Sequence, residues 1–197
     1  MSPQPQVSQL LPSVLQHVVE GQRVTVLDVG PALPETVAFF SAVPCTLHIA
    51  DLFSALPLTP EDDGPSYIEQ FRKLLPLPAA TRFDICLFWD LFNYLPVAAA
   101  SALLEVLHPH LHADTRGHAF GVHKRGTPED SRIHGILNAD TLTLRSRRQL
   151  LPGYAPMPQA QLQTVLADFR FERSVLLADS RLEFLLGMRQ EKREKRT

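Results

Sequence analysis

Apolar and polar positions along this chain follow two rhythms, and the points where one yields to the other outline its elements. Residues 7–20 carry Val7, Leu10, Leu11, Val14, Leu15 and Val18, a spacing that predicts a helix with one buried face, stopped by Gly21. Residues 23–29 predict a strand. A helix follows from about Pro34 to Ala42, where Pro34 suits a first helical position and Glu35 the positive end of the dipole. Thr46 to Ala50 predicts a second strand, ending at Asp51. Residues 52–65 hold three prolines, a glycine and the acidic run Glu61-Asp62-Asp63, which predicts a loop. Ser66 to Leu75 then reads as a helix.

Phe83 to Trp89 is almost uninterruptedly apolar and ends at Asp90, the pattern of a central strand covered on both faces. Val97 to Leu107 predicts a helix, His118 to His123 a strand, and Gln159 to Phe169 an amphipathic helix. Two strand-like runs close the chain, Phe171 to Leu177 and Leu182 to Met188, joined by Ala178-Asp179-Ser180-Arg181. Residues 124–157 resist reading, and only Thr141 to Leu144 alternates like a strand. Strands alternating with helices predict an α/β fold, a doubly wound, mostly parallel sheet with helices on both faces. So short a final link cannot make a parallel crossover, so the last two strands pair antiparallel. No linker or repeat divides the chain, which reads as a single domain over 1–197, with an N-terminal helix within 1–20 and a charged tail at 190–197.

The chemistry gathers at strand ends. Val26-Leu27-Asp28-Val29-Gly30-Pro31 joins the first strand to its helix, Ile49-Ala50-Asp51-Leu52 ends the second, and Trp89-Asp90-Leu91-Phe92-Asn93-Tyr94 ends the central one. In open α/β sheets ligands bind outside such carboxyl ends, at the switch point. In this order the motifs resemble those of class I S-adenosylmethionine-dependent methyltransferases, over about residues 20–189. That resemblance implies a Rossmann-like sheet and S-adenosylmethionine as cofactor, with Asp28, Gly30, Pro31, Asp51, Leu52, Trp89 and Asp90 around it and Asn93 and Tyr94 toward a methyl acceptor. Asp51 takes the place of the acid that grips the ribose hydroxyls. The family's Gly-x-Gly-x-Gly loop is incomplete here, with Ala32 and Pro34 at its second and third glycine positions. Each residue also has an ordinary role open to it: Asp28 as a turn cap, Asp51 as a loop acid, Trp89 as core.

Charge separates candidate ligands. A dinucleotide needs backbone N–H groups at a helix start, whereas Pro31 and Pro34 donate nothing and Glu35 repels phosphate. A positively charged methyl donor suits a rim of Asp28, Asp51 and Asp90 better. Methyl transfer asks mainly for positioning. No catalytic residue is assigned; Tyr94, Asp90 and the histidines are the candidate bases if an acceptor must lose a proton.

Composition narrows the partners. The 197 residues carry a net charge of −2, 45% hydrophobic and 20% charged residues, a balance with no basic excess for nucleic acid or anionic lipid. No apolar run approaches the roughly 18 residues of a membrane span, and no signal peptide is visible, which predicts a cytoplasmic protein. Cys45 and Cys86 read as free thiols in strands. His108, His110, His112, His118 and His123 cluster in sequence without metal-ligand spacing, and no metal is expected. Arg125, Arg132, Arg145, Arg147 and Arg148 read as a solvated surface. Two functions stand: a methyltransferase acting on a small-molecule or protein acceptor, or a non-catalytic subunit of that fold that binds a protein partner. The second rests on the incomplete loop and on exposed apolar character at Leu56-Pro57-Leu58 and Leu74-Leu75-Pro76-Leu77-Pro78.

Overall fold

A computed structural model describes residues 4–60 and 64–189. The acidic run 61–63 and the charged tail 190–197 lie outside the described residues. The described residues form nine strands: β1 (Gln4–Val7), β2 (Val24–Asp28), β3 (Cys45–Ile49), β4 (Ile85–Trp89), β5 (Arg116–Val122), β6 (Arg132–Asn138), β7 (Thr141–Ser146), β8 (Phe169–Leu176) and β9 (Arg181–Met188). The α-helices are α1 (Leu11–Val14), α2 (Gln16–Val19), α3 (Pro34–Ser41), α4 (Tyr67–Leu74), α5 (Val97–Leu107) and α6 (Gln159–Val165).

The main sheet runs β3-β2-β4-β5-β9-β8. Its first four strands are parallel, and β9 is antiparallel to both β5 and β8. β4 is buried at every residue, so helices must cover both its faces. Right-handed crossovers put α3 on one face and α4 and α5 on the other, and α4 packs along α5. The order of strands reverses between β2 and β4, which makes their carboxyl ends the switch point. No helix among the described residues is long and apolar enough to cross a membrane.

Four expectations are corrected. Residues 7–20 are not one helix. Val7 ends a strand, 73% exposed, that pairs with β7, and the remainder breaks at Leu15 into two short helices. Ser8, buried between strand and helix, accepts the Leu11 N–H at 2.8 Å and donates to Glu183 of β9. The first helix starts beyond Leu10, where Pro12 needs no N–H partner. The stripe of Leu10, Leu11, Val14, Leu15 and Val18 is nonetheless buried as its spacing required.

Residues 124–157 are not shapeless: β6 and β7 form a hairpin, and β1 joins it in a separate three-stranded sheet. The sixth helix stops at Val165, because Phe169 has already entered β8. The apolar runs near residues 56–58 and 74–78 are not free surface, since Leu58 and Leu75 are buried and Leu56, Leu74 and Leu77 pack on the core.

Ser8→Ala removes the acceptor of the Leu11 N–H and leaves the Glu183 carboxylate short of a donor. Urea denaturation should show a loss of about 1–3 kcal/mol with an unchanged slope; an unaltered midpoint would show that the anchor contributes nothing.

Candidate functional site

At the switch point the carboxyl ends of β2 and β4 meet through two side chains. The pairing of β4 with β5 slips between Leu87 and Trp89, and this bulge leaves Trp89 at a φ of 52°. A bulky residue in that left-handed region carries strain of about 1–3 kcal/mol. The turn aims its ring across the sheet, where the indole N–H donates to Asp28 Oδ1 at 2.6 Å. The Gly30 N–H donates to the same oxygen at 2.8 Å. A Cβ on Gly30 would lie 3.0 Å from the indole nitrogen, so the glycine kept in this loop makes room for the protein's own ring. Asp28 is 1% exposed, and burial pushes its carboxyl up to about 6 even though both hydrogen bonds favour the anion.

The β6–β7 hairpin lies across the mouth of this crevice. His134 stacks on Trp89, with ring centroids 6.0 Å apart and planes 12° from parallel, and on Phe120 at 4.7 Å. On its other flank the hairpin is clamped to the first turn of α3. Thr36 Oγ1 accepts the Ile136 N–H at 2.9 Å, and Arg145 pairs with Glu35. Only a glycine fits at position 135, because a Cβ there would come within 2.7 Å of Leu33 and Thr36.

Cations occupy the rest of the rim. Arg147 lies 4.5 Å over the Phe53 ring and 3.9 Å from Asp90. Asp90, 4% exposed, is pushed up to about 7 by burial, against the pull of Arg147. Arg181 pairs with Asp130 and donates to His134 Nε2 at 3.3 Å. A neutral His134 therefore carries its proton on Nδ1, which faces Asp90 Oδ1 at 3.7 Å. Burial, then Arg181, hold the His134 imidazole well below its usual range.

Of the residues expected around a ligand, Asp28, Gly30 and Trp89 come into direct contact. Leu52 is tied to that turn by its N–H to the Val29 carbonyl, at 3.0 Å. Asp51 and Pro31 stand half-buried at the rim, and Asp51 accepts the Ser54 N–H at 3.2 Å to cap the short 3-10 turn Leu52–Ala55. Asp90 forms a separate group with His134 and Arg147. Asn93 and Tyr94 are buried beneath the 127–155 segment: the Asn93 carbonyl accepts the Ala155 N–H at 2.9 Å, and the Tyr94 hydroxyl donates to Glu129 at 3.0 Å. Burial pushes the Tyr94 phenol well up.

Reading the sequence missed His134, Phe120 and Arg147. Arg147, read as solvated, has a side chain only 9% exposed, a correction that follows from its place over Phe53. One signal was present: Asn138-Ala139-Asp140 is turn chemistry before the alternating Thr141–Leu144, and it marks a hairpin. The clustered histidines scatter to separate carboxylates, His108 to Asp168, His112 to Asp84 and His118 to Glu183. Among the described residues no group of three His, Cys, Asp or Glu could hold a metal. Cys45 and Cys86 are free thiols.

The chain overlaps solved structures. A protein from Nostoc punctiforme, provisionally named an O-methyltransferase, matches at a TM-score of 0.53 and 15% identity, over 92% of this chain and 56% of its own. The fold is that of the class I S-adenosylmethionine-dependent methyltransferases. A Burkholderia thailandensis 1,6-didemethyltoxoflavin-N1-methyltransferase, solved with S-adenosylhomocysteine, overlaps at a TM-score of 0.49 and 17% identity, over 92% of this chain and 78% of its own. The glycopeptide N-methyltransferase MtfA, complexed with S-adenosylmethionine, overlaps at 0.47 and 10% identity, over 92% and 95%. This chain thus spans little more than half the Nostoc protein's length. No protein-family model and no curated protein matches the sequence.

Asp28 has a measurable signature. Its pKa is raised from 3.8 to about 6 on folding, so the folded state binds the extra proton. Its stabilising contribution is complete below pH 3.8 and is lost as pH rises through 6. Asp28→Asn keeps an oxygen to accept from Trp89 and Gly30 but cannot ionise. The variant should gain on wild type between pH 4 and 7, by on the order of 3 kcal/mol at the plateau. A difference that does not vary with pH would mean that Asp28 is not a buried titrating acid. Comparing the pair cancels His134, whose depressed pKa acts with the opposite sign.

Proposed function

We propose that this chain is a methyltransferase-fold protein that works without methyl transfer. The observation that supports the reading most strongly is the engagement of Asp28 by Trp89 at the switch point, with His134 stacked on the indole. S-adenosylmethionine would meet a strand end already engaged by the protein's own groups. Asp28 is 1% exposed, and its Oδ1 accepts from both Trp89 and Gly30. The loop offers little in exchange, because Pro31 and Pro34 have no N–H, and Ala32 stands where a glycine would let the backbone approach.

A second reading is methyl transfer from S-adenosylmethionine to a small-molecule or protein acceptor. The survival of Asp28 and Asp51 at the first two parallel strand ends favours it. In that reading Asp28, Gly30, Pro31, Asp51, Leu52, Trp89 and Asp90 surround the donor, and Asn93 and Tyr94 face the acceptor. It requires the hairpin to leave the crevice first.

Thermal melting with millimolar S-adenosylhomocysteine separates the two. No shift is expected from the intact protein. Ligand at a hundred times its Kd would add about 2.7 kcal/mol and raise the melting temperature by roughly 5–10 °C; such a rise, or turnover of labelled donor, overturns the non-catalytic reading.

A further inference from the structure

We propose that the β6–β7 hairpin is a releasable plug, and that the contact of His134 with Trp89 opens to solvent while the rest of the fold stays intact. This inference rests on the reading that the crevice is occupied by the protein's own side chains.

Ile136 and Leu142 bury the hairpin's apolar side in the core; three observations set its polar contact with the strand ends apart from that packing. First, Trp89 is held in the left-handed region, at φ 52°, and a strained residue at a switch point persists only while its surroundings impose it. Second, the contact is rich in buried polar atoms that close on one another without bonding. Asp90 Oδ1, His134 Nδ1 and the Arg147 Nε have no hydrogen-bond partner. Asp90 Oδ1 lies 3.7 Å from His134 Nδ1 and 3.9 Å from Arg147 Nη2, beyond good hydrogen-bond reach. A crevice closed for good gains by apolar packing, whereas one that opens to water rehydrates these groups. Third, β6, β7 and β1 belong to a sheet of their own and pair with no strand of the main sheet among the described residues. What fastens the hairpin to α3 includes two polar contacts, Thr36 with the Ile136 N–H and Glu35 with Arg145. Both lie outside the crevice.

Trp89 is the sole tryptophan of the chain and is 1% exposed, so its fluorescence reports the plug directly. Intact protein should give blue-shifted emission and weak quenching by acrylamide. Arg145→Ala and Thr36→Val, which loosen the clamp without touching the indole, should raise the quenching constant about threefold or more through local opening, with far-UV circular dichroism unchanged. Unchanged quenching in both folded variants overturns the plug. So does quenching that rises only together with loss of the whole fold, because the hairpin would then be inseparable from the core. Should Arg145→Ala fail to fold, Thr36→Val decides alone.

S-adenosylhomocysteine added to each protein keeps this inference distinct from the reading it rests on. Binding to intact protein, with the indole still shielded, overturns both. Binding only to the loosened variants supports the plug. Exposure of the indole without binding also supports it and shows that the uncovered crevice takes no such ligand.

Discussion

A side-chain hydrogen bond, from the Trp89 indole to the buried Asp28 carboxylate, ties the carboxyl ends of β2 and β4 beyond their backbone pairing, where the order of strands reverses. Much of the ligand-facing end of the molecule is arranged around it. The bond draws the ring over Gly30, which explains why that position has no side chain. The ring in turn offers a flat face to His134, and the hairpin that carries His134 lies between α3 and the ends of β4 and β5. An acid that the fold leaves at a crevice, where it could meet a ligand, is here turned inward to hold a wall in place.

Such an arrangement is expensive in electrostatic terms. Asp28, Asp90, His134 and Arg181 are each less than 5% exposed, and removing ionisable groups from water destabilises unless they are paired and hydrogen-bonded. Some are well matched: Arg181 meets Asp130, and Glu183 accepts from both Ser8 and His118. Others are not. Burial pushes the Asp90 carboxyl up to about 7 and that of Asp28 up to about 6. Burial of this kind fixes a particular arrangement without adding much to stability, in contrast to the aromatic and aliphatic core beneath it.

The fold was largely legible because its signals are local. Uninterrupted apolar runs, prolines at helix starts and a link too short for a crossover each constrain the chain within a few residues. They were enough for the parallel sheet, the antiparallel ending and the gathering of Asp28, Gly30 and Trp89 at one rim. Residues 7–20 were misread because their stripe of apolar side chains is real but is served by a strand and two short helices. Ser8 and Glu183, which meet beside that break, lie 175 residues apart, and no periodicity carries such a pairing.

The sequence by itself determined the six-stranded main sheet and which of its strand ends would face one another, but not the second, three-stranded sheet, because hydrophobic period and crossover handedness depend on neighbours along the chain. Whether those ends enclose a space or fill it was decided only in three dimensions. That outcome depends on a hairpin from an unpatterned segment, on the rotation a bulge imposes on Trp89, and on ring contacts between residues far apart in sequence. His134 and Arg147 looked like ordinary polar positions because nothing adjacent to them in the chain is what they touch.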